Sequence, residues 1–150
     1  LFYFQFIKKN ENGDKNFWSS MYNSTLHNSW AGLAFERVCL QHLEQIKKGL
    51  GFGAVISTAH SWRCTDAQID LLIDRNDDII NICEMKYSKS KYALDADEIE
   101  RMQHRVDAFQ KTTKTNKSIN LTLITSNGVT EGSNTNSIHS MITMEQLFLP

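Results

Sequence analysis

Charged side chains capable of acid–base or metal chemistry lie on two segments rich in β-branched and aliphatic residues, joined by a short polar turn. The first segment carries Asp70 among aliphatic residues, and the second carries Glu84 and Lys86, two positions apart. Because strand side chains alternate between two faces, Glu84 and Lys86 point the same way. A tight turn between the segments would bring Asp70 within about one residue of the position opposite Glu84. Two carboxylates and a lysine are therefore predicted to meet on one small face of a hairpin.

This combination of charges suits a hard divalent ion. Two neighbouring carboxylates repel each other, and the pKa of one rises unless a cation lies between them. Mg²⁺ or Mn²⁺ prefers oxygen ligands, which the Asp70 and Glu84 side chains and the backbone carbonyl of Met85 could supply. Lys86 could orient an attacking water or offset negative charge that develops on a phosphate. The structural alternative is a plain salt bridge between Glu84 and Lys86, with Asp70 capping a turn.

A third carboxylate, Glu36, lies on a helix predicted over residues 29–50. The positions three, four and seven residues away from Glu36 are mostly apolar, among them Leu33, Cys39 and Leu40. A carboxylate placed in an apolar stripe should be paired, metal-bound or protonated. Glu36 is therefore expected to reach the two strand carboxylates, as a further ligand or through a metal-bound water. Alternatively, Glu36 sits at the edge of the stripe and reaches solvent.

Composition restricts the function classes. The chain has 150 residues, 22% charged and 41% hydrophobic, with a net charge of −1, which is typical of one globular domain without a global field that attracts nucleic acid. No apolar run approaches the roughly 18 residues that would predict a membrane span. Cys39, Cys64 and Cys83 form no Cys-x-x-Cys pair, which favours a reducing, cytoplasmic compartment over a disulfide framework or a structural zinc site.

Hydrophobic periodicity, together with capping and turn signals, predicts the helices and strands that carry these residues. Helices are predicted at 17–22, 29–50 and 95–117, with the cap of the second at Asn28 or Ser29. Strands are predicted at 52–60, around Asp70, and at 79–87, 119–125 and 138–142, and Thr143 is expected to cap a final turn. This order predicts an α/β fold, a three-layer-like sandwich with a mixed central sheet flanked by helices.

Asp70, followed after a hairpin by Glu84-Met85-Lys86, with Glu36 on a preceding helix, resembles the PD-(D/E)XK nuclease superfamily. Ile69 stands where the family name has proline. The superfamily core runs α-β-β-β-α-β, the order predicted above. The same residues, together with Gly32, are similar to the nuclease-like C-terminal domain of prokaryotic P-loop (AAA-type) ATPases.

The resemblance implies that Asp70 and Glu84 bind Mg²⁺ or Mn²⁺, that Lys86 serves the hydrolytic water and that Glu36 completes the site. It implies a metal-dependent endonuclease that hydrolyses phosphodiester bonds in DNA, as part of a larger ATPase. Residues 1–28 would then be an aromatic segment ending an upstream domain, and residues 29–150 the nuclease-like domain.

Two other interpretations remain open. The domain could keep the nuclease fold as a non-catalytic module that binds nucleic acid or protein. A zinc hydrolase using His60, Cys64 and Cys83 is the third interpretation, although their spacing matches no usual zinc motif. Under the nuclease hypothesis, several basic side chains could contact phosphates: Arg63, Lys89, Lys91, Arg101 and Arg105.

Overall fold

The computed structural model describes Lys8 and residues 16–22, 24–132 and 135–149. These residues form a five-stranded mixed sheet with helices on both faces, which confirms the predicted α/β class. The elements, in chain order, are α1 (Phe17–Met21), α2 (Thr25–Gln41), α3 (Leu43–Gly49), β1 (Ser57–Arg63), β2 (Gln68–Arg75), β3 (Ile79–Lys86), α4 (Ala96–Thr113), β4 (Ser118–Thr125), β5 (Ser140–Thr143) and the 3-10 helix η1 (Met144–Phe148).

The strands lie in the order β1-β2-β3-β4-β5. The first three pair as an antiparallel meander, whereas β3, β4 and β5 run parallel. Helix α4 is the crossover that parallel pairing of β3 and β4 requires. The central strand β3 is buried at most of its positions, which explains why its sequence is almost continuously apolar.

Two apolar clusters cover the two faces of the sheet. One contains Phe35 and Cys39 of α2, Ile46 of α3, and strand residues that include Met85. The other contains Met102, Val106 and Phe109 of α4 with alternate residues of the same strands. The sheet therefore stands between α2–α3 on one face and α4 on the other. None of the helices in the described part of the chain has the length and apolar character that a bilayer crossing requires.

The predicted long helix is two helices in the structure. Its N-cap is Ser24, whose side chain accepts a hydrogen bond from the His27 N–H, so the predicted cap at Asn28 or Ser29 is wrong. The helix is interrupted at His42, where the ring Nδ1 bonds the Val38 carbonyl at 2.7 Å. Helix α3 then ends before Gly51, which has a φ of 80°. The interruption was missed because the sequence there contains neither proline nor glycine.

Other boundaries were predicted with varying accuracy. Strand β1 begins at Ser57 and continues to Arg63, so the strand predicted at 52–60 was displaced toward the N-terminus. Helix α4 begins after its cap Asp95 and ends before Lys114, which adopts a left-handed conformation. Thr143 forms a capping box with Gln146 at the start of η1, as predicted. Residues 1–7, the start of the aromatic segment predicted at 1–28, lie outside the described residues.

A β-bulge changes the faces that β2 presents. His60 pairs with Leu72 and Trp62 with Ile69, so one residue of β1 stands opposite two residues of β2, Asp70 and Leu71. Strict alternation would put Leu72 and Asp70 on one face and Ile69 on the other. That prediction is wrong, because Ile69 and Leu72 pack in the same cluster, against α4. The extra residue frees Asp70 from the alternation, and its side chain is exposed.

Candidate active site

The candidate site lies where the sheet divides into two arms. Within the described sheet, pairing between β2 and β3 runs from Asp74↔Ile80 to Leu71↔Cys83 and then stops. Beyond that point β2 continues beside β1, as far as the pair of Gln68 with Arg63, and β3 continues beside β4, through Lys86 and Thr125. Asp70 and Glu84 are the first residues past the last shared pair, one on each arm of the fork.

Glu84 is held by two cations. Lys86 Nζ lies 3.0 Å from Glu84 Oε1, and Arg105 Nη1 of α4 lies 2.5 Å from Glu84 Oε2. The Glu84 side chain is only 16% exposed, so this carboxylate depends on its partners for compensation of its charge. The predicted salt bridge between Glu84 and Lys86 is therefore present, and Arg105 is a further partner from the crossover helix.

Lys86 is shared between two carboxylates. Its Nζ lies 3.4 Å from Glu98 Oε1, which also accepts a hydrogen bond from Arg101 at 3.0 Å. The Tyr92 hydroxyl donates to the other oxygen of Glu98. Burial raises the pKa of Glu98, but the hydrogen bonds from Tyr92, Arg101 and Lys86 outweigh it and hold the pKa below its ordinary value. Glu98 is therefore an anionic anchor that fixes the Lys86 ammonium beside Glu84.

Glu36 approaches the fork from α2. It is half-buried, and the two leucines predicted to surround it, Leu33 and Leu40, are 58% and 44% exposed. The prediction that Glu36 is embedded in a buried apolar stripe is wrong, and the alternative position at the edge of the stripe is confirmed. Even so, burial and the negative charges of Asp70 and Glu84 raise the pKa of Glu36, while Lys86 opposes the rise.

Asp70, Glu84 and Lys86 all lie near enough to Glu36 for their charges to shift the pKa of its carboxyl. Asp70 is oriented by Gln68, whose Nε2 donates to Asp70 Oδ1 at 2.6 Å. Gln68 in turn accepts a hydrogen bond from Arg63. At the fork, the Glu84 carboxylate thus lies beside the Lys86 ammonium group.

The donor set fits a hard divalent cation by its chemistry. Carboxylate oxygens are the ligands that Mg²⁺ and Mn²⁺ prefer. In the described part of the chain, however, no three His, Cys, Asp or Glu side chains are already spaced to surround an ion. Side chains would have to rotate to complete a site, and Glu84 would have to exchange a cationic partner for the ion.

The proposed zinc ligands gain no support. Burial raises the pKa of the fully buried Cys83, so this thiol resists conversion to the thiolate that zinc binds. Cys64 is half-buried and His60 is exposed.

An open cleft of about 690 Å³ lies beside the fork, between the start of β2 and one side of α4. Arg105 and Gln68 line it, so the cleft is continuous with the partners of Glu84 and Asp70. Arg101 and His104 add basic character, whereas Asp66, Asp97 and Glu100 add negative charge.

The predicted basic residues therefore divide into two groups. Arg101 and Arg105 line the cleft, and Arg63 reaches it through Gln68. Lys89 instead lies 3.8 Å above the centre of the Tyr22 ring, and Lys91 is exposed.

Sequence reasoning missed the roles of Glu98, Tyr92 and Arg105 at the site. The sequence suggested only possible phosphate contacts for Arg105. Spacing offered one usable signal, since Glu98, Arg101 and Arg105 lie on one helical face at intervals of three and four residues. That this face meets β3 depends on how α4 crosses the sheet.

Comparison with known proteins gives a family and a fold. Residues 3–102 match the model of the DUF234 family, described as archaeal and bacterial proteins of unknown function. That match includes Glu36, Asp70, Glu84, Lys86 and Glu98 and ends before Arg105. Comparison with curated protein sequences gives no match.

The fold is similar to that in the crystal structure of a repair endonuclease from Pyrococcus abyssi. The similarity has a TM-score of 0.50 with 14% sequence identity, and it covers 76% of this chain. It covers 46% of the endonuclease chain, so the present chain corresponds to less than half of that protein. The shared feature is a nuclease-like fold.

Proposed function

The chain belongs to the DUF234 family, and we propose that it is a metal-dependent nuclease domain that hydrolyses phosphodiester bonds in DNA. The observation that carries the proposal is the gathering of Glu36, Asp70, Glu84 and Lys86 at the fork of the sheet. The similarity of the fold to that of a repair endonuclease supports it.

Each residue has a role in this proposal. Asp70 and Glu84, with the Met85 carbonyl, would hold Mg²⁺ or Mn²⁺, and Glu36 would complete the set directly or through water. When bound, the ion would supply an activated water and stabilise the leaving oxygen. Lys86, anchored by Glu98, would donate hydrogen bonds to the attacking water or to a non-bridging phosphate oxygen as negative charge develops there.

The experiment is a DNA cleavage assay in Mn²⁺. We expect Lys86→Ala to lower the cleavage rate by at least about 100-fold, the typical cost of removing a group that stabilises developing charge. Lys117→Ala is the matched control, because Lys117 is also paired with an aspartate of the hairpin, 2.6 Å from Asp74, but at the opposite end. Equal rates in wild type and Lys86→Ala would refute the proposal, as would equal losses in both variants.

The second candidate function is a non-catalytic module that binds nucleic acid or protein. Both oxygens of Glu84 are already engaged by Lys86 and Arg105, which is the arrangement expected if the charges serve structure alone. Absence of metal binding by the wild-type protein, together with retained DNA or protein binding, would favour this candidate.

The proposal also covers a partner domain and a cellular compartment. The similarity of Glu36, Asp70 and Glu84-Met85-Lys86 to nuclease-like domains attached to P-loop ATPases supports an ATPase domain as the partner. Three free cysteines, two of them buried, fit a reducing cytoplasm. The full-length gene product tests the first point, since the proposal requires a P-loop motif in the same polypeptide.

A further inference from the structure

We infer that Arg105 is the phosphate-binding residue of this site, and that it stays paired with Glu84 until a divalent ion binds the Glu84 carboxylate. The inference rests on the proposed metal site and adds a residue and an order of events to it. It depends on three observations: the ion pairs of Glu84, the further ion pairs of Lys86 and Arg105, and the cleft that Arg105 lines.

The first observation concerns Glu84, whose two carboxylate oxygens are both in ion pairs. Lys86 Nζ lies 3.0 Å from one oxygen and Arg105 Nη1 lies 2.5 Å from the other. An ion that binds Glu84 must therefore compete with one of these two cations. Since the side chain is 16% exposed, loss of one cation without a replacement would leave a poorly solvated charge. A divalent ion is such a replacement.

The second observation distinguishes the two cations. Lys86 has a second carboxylate partner, Glu98, which Tyr92 and Arg101 hold in position. Among the described residues, Arg105 forms its one ion pair with Glu84. When Glu84 binds an ion, Lys86 can thus stay beside the fork through its ion pair with Glu98, whereas Arg105 loses its ion-pair partner. Arg105 is therefore the group that the ion displaces.

The third observation gives the destination of Arg105. Its side chain is 29% exposed and lines the cleft beside the fork, where Gln68, Arg101 and His104 also lie. A guanidinium released into that cleft presents a planar set of donors that matches the oxygens of a phosphate. The acidic residues of the same cleft, Asp97 and Glu100, would oppose phosphate binding while Arg105 remains paired. Release of Arg105 would shift that balance toward an anionic strand.

Calorimetry with Mn²⁺ alone tests the competition. We expect Arg105→Ala to bind Mn²⁺ about fivefold or more tightly than wild type, the lower end of the range typical of coupled binding events. Arg101→Ala is the matched control, because Arg101 lies one turn away on α4 and pairs with Glu98 instead of Glu84. Its Mn²⁺ affinity should stay close to that of wild type, since it removes the same charge without freeing Glu84. Arg105→Gln, which keeps most of the side-chain volume, should repeat the Arg105→Ala result if that variant folds poorly.

Binding of a double-stranded DNA oligonucleotide with cleavage-resistant phosphorothioate linkages tests the release, in protein that retains Lys86. With Mn²⁺ present, Arg105→Ala should weaken binding and reduce the slope of log K against log salt by about 1. In EDTA the same substitution should leave the affinity and the slope unchanged, because Arg105 is then held by Glu84.

The outcomes separate the two ideas. If wild type and Asp70→Ala bind Mn²⁺ equally, the proposed metal site is wrong and the inference falls with it. If Asp70→Ala loses Mn²⁺ binding but Arg105→Ala and Arg101→Ala bind the ion alike, the proposed function stands and the inference is overturned. An Arg105→Ala effect on DNA binding that is the same in EDTA as in Mn²⁺ would also overturn it.

Discussion

The two ends of the β2–β3 hairpin both carry acidic and basic side chains, but the charges are paired differently at the two ends. At the turn, each aspartate that forms an ion pair has its own cation. Lys117 Nζ lies 2.6 Å from Asp74, and Arg75 pairs with Asp77, whose pKa is lowered chiefly by the hydrogen bonds from that guanidinium. At the fork, Lys86 serves both Glu84 and Glu98, and the pKa of Glu36 is raised.

Strand pairing explains the difference. Near the turn, β2 and β3 remain hydrogen-bonded, so side chains lie at fixed spacings and pairs can be satisfied one by one. Arg75 is held further by the Phe52 ring, 4.1 Å from its guanidinium carbon, and by the buried Asn81. Past Leu71↔Cys83 the strands separate and three further groups enter the gap, Glu36 from α2 and Arg105 and Glu98 from α4. Along the paired part of the hairpin the charges form separate pairs, whereas at the fork they are shared among side chains from the strands and two helices.

The largest expected difference between the two ends is in stabilisation by metal. At a Mn²⁺ concentration 100 times its Kd, the ion should stabilise the wild-type protein by about 2.7 kcal/mol, which corresponds to a rise in Tm of roughly 5–10 °C. Asp74→Ala should show the same rise, because it removes a carboxylate from the turn. Asp70→Ala should show none. Thermal unfolding followed by circular dichroism measures all three, and a rise in Asp70→Ala equal to that of wild type would contradict the contrast.

The free energy of unfolding of an Asn81 variant tests the end of the hairpin near the turn. Asn81 is 1% exposed, donates to Thr122 Oγ1 at 3.0 Å and accepts from Arg75 at 3.4 Å. Asn81→Ala should lower the free energy of unfolding by about 1–3 kcal/mol, because the buried Thr122 hydroxyl loses its partner. Urea denaturation measures the loss. The increase in Tm on addition of Mn²⁺ should be the same as in wild type, and a smaller increase would mean that the two ends are coupled.

The smallest expected effect concerns Glu36 and pH. Because its folded-state pKa is raised above the ordinary value of 4.5, folding favours the protonated form, and the ionised form costs stability once the pH exceeds that value. At pH 7 without metal, Glu36→Gln should therefore raise Tm, by roughly 1–3 °C for a half-exposed group. The gain should disappear as the pH falls below 4.5, where Glu36 is protonated in both states.

The matched control for this pH series is Glu44→Gln on α3, whose carboxylate is 70% exposed and paired with Lys47. It should show no comparable gain at pH 7. A gain in Glu36→Gln that persists unchanged at low pH would show that packing, and not charge, is responsible.

Much of the fold could be predicted because the signals are local. The β-rich runs around Asp70 and Ile82, the acidic cap of α4 and the Thr143 capping box are each contained in a few residues. The interruption of the first long helix at His42 and the bulge at Asp70 and Leu71 were not predicted. Both depend on contacts that no short segment encodes, a side chain bonded to a helix carbonyl and the pairing of β2 with β1.

The sequence by itself determined which residues could form the candidate site and that they lie near one another: Asp70 and the Glu84–Lys86 pair follow from strand period and turn position. Only the tertiary structure decided how that site is built. It ends the β2–β3 ladder one residue before Asp70 and Glu84, and it brings Glu98 and Arg105 across from the crossover helix. The physical reason is that period and turn chemistry act over a few residues, whereas the fork and its charge balance depend on how distant elements pack.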